Sequence, residues 1–426
     1  MRIRSLPLTA AMLACAPVAH AQDSRLDALE HRLAAQDQRI AELEALVTAQ
    51  SELLRQVTSP ATPTRPAPTS TAPHTLAPPL AAVPPPSAAV QVRGLDVGGD
   101  MRVRQEWNRV NGRDRSRTAV RARLRATYTV GDSIAVGTQI VTGDPDDPNS
   151  TDVALGNFAD DFPVALDQAW IRYRSGGLTA YAGKFPQIIQ RTDMLWDSDV
   201  SPQGVAVTYT APLGQAKLDA RGIWFVIDEA AVARDSDMLG GQLAFAAPVS
   251  DQVKVGLTGS YYHYRLGSAA GADAGDFRGN LLASGRYLSD FHLVEGIGSI
   301  GWTGSARWPV TLTADFVRNV GAAVPGDTAF NLELAAGRTA SPGDVRIAYN
   351  FSEVEVDAVL AAFSHDNIDL STNYRLHGLG LSYVPASKLQ VDLLWYHYRP
   401  LDRAYAGALP SSDWLDRIRL AFTVTL

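Results

Sequence analysis

The feature that most limits how this chain can fold is the alternation of apolar and polar side chains in short segments of residues 91–426. In the clearest segment, alternate positions carry valine, alanine, leucine or tyrosine, and the positions between them carry Arg121, Arg123, Arg125 or threonine. Successive side chains of a β-strand point to opposite faces, so this period of two predicts strands with one apolar and one polar face. The same pattern closes the chain at 417–426.

The apolar faces of these predicted strands must contact either lipid or the core of a soluble protein. Beyond residues 1–21 no apolar run reaches the roughly 18 residues of a transmembrane helix, although 46% of the residues are hydrophobic. In lipid, only helices and closed barrels satisfy every backbone hydrogen-bonding group. A soluble β-sandwich also alternates, but here the pattern continues without an internal linker. The sequence therefore predicts an all-β transmembrane barrel in the bacterial outer membrane, in contact with lipid and lipopolysaccharide.

Aromatic residues gather near the predicted strand ends, which is typical of the interfacial girdles of outer-membrane barrels. Their side chains are therefore predicted to face the two membrane–water interfaces. The residues concerned are Tyr261, Tyr262, Tyr264, Trp395, Tyr396, Tyr398 and Trp414.

The number of strands follows from the two termini. A periplasmic N-terminal extension makes the first strand run outward, and a chain that ends within its last strand ends at the periplasm, so the number is even. Short turns are predicted near 131, 175–177, 211–215, 247–251, 304–308, 340–343 and 385–387. Long loops are predicted at 109–117, 144–163, 186–202, 228–236, 265–290, 320–328, 364–373 and 400–413. These connections give a 16-stranded antiparallel barrel.

Residues 344–363 have to form a single long strand in this scheme. Their apolar phase slips between Phe351 and Val354, which predicts a β-bulge near Ser352. A tight hairpin at the same place is the alternative, and it would change the strand number. A barrel of sixteen strands is wide enough to enclose an aqueous channel.

Three segments are predicted before the barrel, which is assigned to residues 93–426. Residues 1–21 have the basic start, apolar stretch and small final residues of a secretory signal peptide. Residues 22–57 repeat in sevens and predict a short periplasmic α-helical coiled coil. Residues 58–92 are Pro-rich and predict an extended, disordered linker. The predicted coiled-coil core consists of Leu26, Leu29, Leu33, Ile40, Leu43, Val47 and Leu54.

The charge balance and the missing motifs exclude several functions. The first 90 residues hold seven side chains of each sign, so the formal charge of −7 belongs to the rest of the chain and argues against nucleic acid as a partner. No Gly-x-Ser-x-Gly elbow, Gly-x-x-x-x-Gly-Lys motif or metal-ligand spacing of histidines occurs. The acidic loop 144–152 lacks the glycine and final glutamate of an EF-hand, which favours a solvated loop. We expect no enzyme, cofactor or metal site.

Several segments resemble the bacterial "putative porin" family of outer-membrane barrels. The resemblance covers roughly residues 95–426 and implies a pore-forming protein. The chain differs from many outer-membrane barrels in ending on Leu426 instead of phenylalanine. The segments that carry the resemblance are Ala182–Pro186, Arg191–Asp199, Pro202–Gly204, Leu312–Asn319 and Ala362–Asp366, the last of which leads to the strand Tyr374–Tyr383.

The resemblance also implies a constriction, because similar barrels fold a long loop into the lumen. The third predicted loop, 186–202, carries the charged residues that suit this role. Opposed rows of charge across a pore select solutes by charge and orientation. An ordinary surface loop over a wet lumen is the alternative. The predicted pore-lining and constriction residues are Arg121, Arg123, Arg125, Arg172, Lys184, Arg191, Asp193, Asp197, Asp199, Arg417 and Arg419.

Two functions from different classes remain. The first is a porin, in which small hydrophilic solutes or ions diffuse passively through an arginine-lined lumen, expected as a homotrimer. The second is a structural anchor that ties the outer membrane to the cell wall, with the coiled coil in contact with peptidoglycan. An outer-membrane lipase or protease is disfavoured by the missing nucleophile motif. Ion conductance favours the first function, and a closed or plugged lumen favours the second.

Overall fold

The computed structural model describes residues 94–110, 113–156, 159, 161–231, 234–267, 279–406 and 414–426. The predicted signal peptide, coiled coil and linker lie outside these residues. The strands are β1 (Leu95–Val110), β2 (Arg113–Val130), β3 (Ile134–Thr142), β4 (Val153–Ala154), β5 (Val164–Ser175), β6 (Leu178–Lys184), β7 (Gln203–Leu213), β8 (Ala216–Asp228), β9 (Ser236–Pro248), β10 (Val253–Leu266), β11 (Leu282–Ala283), β12 (Arg286–Tyr287), β13 (His292–Trp302), β14 (Val310–Asn319), β15 (Thr328–Gly337), β16 (Val345–Val354), β17 (Tyr374–Ala386), β18 (Leu389–Pro400) and β19 (Leu415–Thr425). Short 3-10 helices lie at Ala361–Phe363 and Arg403–Tyr405, and no helix of the described residues is long and apolar enough to cross a membrane.

Sixteen of these strands pair edge to edge into a closed antiparallel barrel. Each pairs with the next barrel strand along the chain, and β1 also pairs with β19, where Asp100 lies opposite Thr425. Closure gives every wall strand a hydrogen-bonding partner on both sides, as lipid requires. The other three strands are short: β4 pairs with β2, and β11 pairs with β12. The predicted fold class and strand number are confirmed.

The connections alternate between short turns and long loops, with one exception. The predicted loop 109–117 is wrong, because β1 continues to Val110 and β2 begins at Arg113. Opposite charges face each other across this hairpin, including Glu106 opposite Arg117. Such cross-strand pairs stabilise an extended two-stranded ladder, which explains why the strands continue beyond their apolar region.

The predicted long strand at 344–363 is also wrong. The strand β16 ends at Val354, and it pairs with β15 and β17 without a register shift, so no bulge occurs near Ser352. Residues 355–373 then leave the wall, and most of them are buried. Their apolar side chains resemble a strand in the sequence because they pack inside the barrel instead of facing lipid.

The two faces of the wall differ as the alternation predicts. On β1, Val97, Met101 and Trp107 are exposed on the outer face, whereas Asp100 and Arg104 are buried on the inner face. Only the inner face contacts the loops that enter the barrel. The wall therefore presents apolar side chains to lipid and places its charged groups inside.

The predicted aromatic girdles are only partly right. Tyr261 and Trp395 are exposed on the outer face, as predicted. Tyr262, Tyr264 and Tyr398 are completely or almost completely buried on the inner face. Adjacent tyrosines on one strand point in opposite directions, and the inward ones pack against the loops inside the barrel.

Candidate functional site

The connection between β6 and β7, residues 185–202, turns into the barrel, and we call it the first inward loop. Met194, Leu195 and Trp196 are at most 2% exposed. The loop contacts strands on different sides of the wall: Thr192 donates a hydrogen bond to Asp315 on β14, and other residues reach β2, β9 and β10. A segment that contacts such distant strands crosses the interior of the barrel.

An aromatic cluster holds this loop in place, formed by Trp196, Phe225, Tyr262, Tyr264 and Phe363. The indole of Trp196 stacks on Phe363, with ring centroids 5.6 Å apart and planes inclined by 13°. Its other neighbours are Phe225 at 6.2 Å, Tyr262 at 5.8 Å and Tyr264 at 6.4 Å. Such ring pairs contribute about 0.5–1.5 kcal/mol each beyond the area they bury. The cluster therefore joins the loop to β8, β10 and residues 355–373.

Residues 355–373 form the second inward loop, which sequence reasoning missed. The buried amide of Asn280 donates from Nδ2 to the carbonyl oxygens of Val356 and Val359, both at 3.0 Å. Its Oδ1 accepts from the backbone N–H of Ala361 at 2.8 Å. Because one side chain satisfies three buried backbone groups, it fixes the path of the loop.

The two inward loops are bonded to each other through their backbones. The N–H of Asp197 donates to the carbonyl of Phe363 at 2.8 Å, and the N–H of His365 donates to the carbonyl of Asp193 at 3.2 Å. Asn149, in the loop after β3, adds a hydrogen bond from Nδ2 to the carbonyl of Ser364 at 2.6 Å. The three loops therefore form one connected body inside the barrel.

Arginines of three adjacent strands meet this body, and we call them the arginine wall. The first inward loop reaches them through Asp199, which lies 3.1 Å from Arg123 Nη1 and 3.9 Å from Arg121 Nη1. Asp100 of β1 lies 2.8 Å from both arginines. The arginine wall consists of Arg102, Arg104, Arg117, Arg121, Arg123, Arg417 and Arg419.

The second inward loop meets the arginine wall on β19. Arg419 Nε donates to Glu106 Oε2 at 2.7 Å, and its Nη2 donates to the carbonyl of Asp366 at 3.1 Å. Arg417 pairs with Asp369. Both arginine side chains are at most 3% exposed. Ion pairs buried this deeply gain little net stability, but they fix positions strongly because a lone charge there is costly.

Not all the predicted site residues come together. Arg121, Arg123, Asp199, Arg417 and Arg419 belong to the arginine wall and its partners. The others lie apart. Arg125 is exposed, with no ion-pair partner in the described part of the chain. Arg172 lies over the ring of Trp170, 5.8 Å from its centroid, and Lys184 lies 3.9 Å from Asp167. Arg191 pairs with Asp193 at 3.0 Å and donates a hydrogen bond to the carbonyl of Trp196 at 2.7 Å.

Sequence reasoning missed several charged residues of this network. Asp152 lies 2.7 Å from Arg102 and 2.8 Å from Arg104, and Glu106 lies between Arg117, Arg417 and Arg419. A signal was present on β1, where charged or polar residues occupy every second position from Asp100 to Asn108. The partner Asp152 carried no such signal, because the acidic loop around it resembles a solvated one.

Known proteins resemble this chain in sequence and in fold. A family model described as "Putative porin" matches residues 90–274. The predicted family resemblance is confirmed. OprB of Pseudomonas putida, at high pH, aligns over 78% of this chain and 94% of its own, with 14% identity and a TM-score of 0.53. This likeness shows the fold of the porin barrel alone.

Two further solved structures align with lower scores. The in-vitro folded OmpT of Vibrio cholerae, in a trimer form, covers 78% of this chain and 99% of its own at 13% identity, with a TM-score of 0.47. A triple mutant of the Rhodopseudomonas blastica porin covers 78% and 100% at 12% identity, with a TM-score of 0.44. No curated protein matches the chain in a sequence search. The match to the putative-porin model and the closed barrel support a place in the outer membrane.

Burial changes the acid–base behaviour of the inward loops. It raises the pKa of Asp197 to about 8, and the charges of Asp366 and Asp193 act in the same direction. Burial lowers the pKa of His365. Asp197 Oδ1 accepts from the backbone N–H of Asp199 at 2.7 Å, so its carboxyl group is held by a hydrogen bond in either protonation state.

A cavity of about 380 Å³ opens beside the first inward loop. One part of its lining is apolar and includes Phe225, Leu266 and Phe363. The other part is polar and includes Asp144, Asp146, Lys184 and Asp199. In the described residues, no group of three or more His, Cys, Asp or Glu side chains is arranged to hold a metal ion.

Proposed function

We propose that this chain is an outer-membrane porin through which small hydrophilic solutes or ions diffuse passively. The observation that carries the proposal is the first inward loop, which crosses a closed sixteen-stranded barrel and meets the arginine wall. A barrel of this size encloses an aqueous channel unless something narrows it. Arg121 and Arg123 on the wall, opposite Asp199 on the loop, form a constriction with charges of both signs.

The proposal includes a homotrimer. The heptad repeat predicted in 22–57 supports it, because apolar residues at its core positions favour association of several helices. Lipid and lipopolysaccharide are the partners of the apolar outer face.

The test is single-channel conductance of the purified full chain in a planar lipid bilayer, with a salt gradient to measure the reversal potential. Stepwise conductance is expected, with steps in groups of three for a trimer. The sign of the reversal potential tells whether arginines or carboxylates control the narrowest point. Folded and inserted protein that leaves the bilayer silent would contradict a diffusion pore.

A structural anchor is the second candidate, with the predicted coiled coil in contact with peptidoglycan. The dense packing of the two inward loops favours it, since Trp196, Phe363 and their neighbours are buried within the barrel. A silent bilayer together with co-sedimentation of the full chain with purified peptidoglycan would support the anchor. Loss of that co-sedimentation after deletion of residues 22–57 would assign the contact to the predicted coiled coil.

A further inference from the structure

Two buried carboxylates lie side by side where the first inward loop touches the wall. Glu295 on β13 and Asp315 on β14 are 3% and 1% exposed. Ile297 is the cross-strand partner of Asp315, and Glu295 precedes it by two residues on the same face. The two acids are therefore diagonal neighbours, within reach of a common ligand.

Each carboxylate uses one oxygen and leaves the other without a partner. Glu295 Oε2 accepts from Ser260 Oγ at 2.6 Å and from the hydroxyl of Tyr262 at 3.1 Å. Asp315 Oδ2 accepts from Thr192 Oγ1 at 2.5 Å. Glu295 Oε1 and Asp315 Oδ1 are buried and have no hydrogen-bond partner. Buried polar atoms of native proteins are nearly always paired, so this pair of oxygens needs an explanation.

A third unpartnered oxygen lies in the same part of the wall. Thr258 on β10 is 2% exposed, its Oγ1 has no partner, and it faces Ile297 from the side opposite Asp315. Each of the two strands next to β13 therefore carries an unpartnered oxygen: Thr258 Oγ1 on β10 and Asp315 Oδ1 on β14. Two carboxylates and a hydroxyl are the oxygen ligands that hard cations prefer.

No basic side chain balances these acids. Within the described residues, no Lys, Arg or His nitrogen lies within ion-pair distance of Glu295 or Asp315. The nearest chain of hydrogen bonds to a cation runs through Ser260 and Gln242 to Arg221, which is itself paired with Asp219 at 2.9 Å. Two uncompensated charges in this interior would be very costly.

We propose that Glu295 and Asp315 bind one divalent cation of the hard, oxygen-preferring class, with Ca²⁺ as the representative ion. A divalent ion cancels both charges and gives both free carboxylate oxygens a ligand role. Because Thr192 bonds to Asp315, the ion also stabilises the base of the first inward loop. This site lies beyond the proposed function of diffusion.

Terbium luminescence tests the proposal on the folded full chain in detergent, after removal of metals with a chelator. Tb³⁺ replaces Ca²⁺ in oxygen sites, and Tyr262 lies 3.1 Å from Glu295, with the Trp196 ring 5.8 Å from the Tyr262 ring. We expect sensitised emission on Tb³⁺ titration that Ca²⁺ displaces. Glu295→Gln and Asp315→Asn should each weaken this Ca²⁺-displaced component at least tenfold.

Glu333→Gln is the matched control, because Glu333 is an acid of the neighbouring strand β15 that is already paired with Arg346 at 2.7 Å. It should leave the emission unchanged, and acids on surface loops contribute equally in all variants. Wild-type emission that Ca²⁺ does not displace, or emission unchanged in both site variants, would overturn the proposal. If Glu295→Gln also raised the unfolding midpoint at neutral pH, a proton shared by Glu295 and Asp315 would explain the pair, and the cation site would be rejected.

Discussion

Replacing Trp196 by alanine tests whether the aromatic cluster holds the first inward loop across the lumen. Trp196 is fully buried and has ring contacts with all four other members of the cluster. Truncation of a buried tryptophan costs about 3–5 kcal/mol. At about 1.4 kcal/mol per tenfold change, the docked position of the loop should become roughly 10²- to 4 × 10³-fold less favoured.

Single-channel conductance and limited proteolysis measure this effect. We expect larger and noisier conductance steps for Trp196→Ala, and faster cleavage within residues 185–202, because the undocked loop leaves the lumen. Trp196→Phe should behave like the wild type, since it keeps an aromatic ring and removes an indole N–H that has no partner. Trp107→Ala is the matched control, because Trp107 is 41% exposed on the outer face.

Two results would refute this reasoning. Conductance and proteolysis of Trp196→Ala that match the wild type would show that the loop is held without the aromatic cluster. Equal effects of Trp196→Ala and Trp107→Ala would show that loss of any tryptophan weakens the whole barrel instead of the loop.

Three further predictions concern the charges and hydrogen bonds of the inward loops. Asp199→Asn should shift the reversal potential in a salt gradient toward anion selectivity, because it leaves the positive charges of the arginine wall without their acidic partner. Arg123→Gln should shift the reversal potential toward cation selectivity. Equal shifts of both variants in one direction would contradict the constriction. The folded chain disfavours ionised Asp197, so the free energy of unfolding should fall by up to about 1.4 kcal/mol per pH unit as the pH rises from 4 to 8. Unfolding midpoints in urea, measured across this pH range, should show this slope in the wild type and a flatter slope in Asp197→Asn. Identical slopes in the two proteins would argue against a buried neutral acid. Asn280→Ala leaves three backbone groups unsatisfied, each at a cost of about 1–3 kcal/mol, so hydrogen exchange within 355–361 should accelerate while exchange in the wall strands stays unchanged.

The first inward loop shows how far a sequence can lead toward a site. Its charged residues and the family resemblance marked it as a constriction loop, and Asp199 does reach Arg121 and Arg123. Its neighbours Arg191 and Asp193 pair with each other instead. Charge alone does not determine partners, because the orientation of each side chain depends on where the loop packs.

The second inward loop shows where sequence reasoning stops. The run from Val354 to Phe363 is apolar enough for a strand, and nothing local distinguishes a side chain that faces lipid from one that packs in the lumen. The same ambiguity placed Tyr262 and Tyr264 in a girdle, although they contact Trp196 inside the barrel.

The sequence by itself determined much of the wall: the period of two and the turn residues indicated the strands and placed Arg121, Arg123 and Arg125 on one face. These properties are local, because a strand's two faces alternate whatever surrounds it. Only the tertiary structure decided what fills the barrel. The inward loops are held by contacts between residues far apart in the chain, such as Asn149 with Ser364 and Arg419 with Glu106, and no local pattern encodes which distant groups will meet.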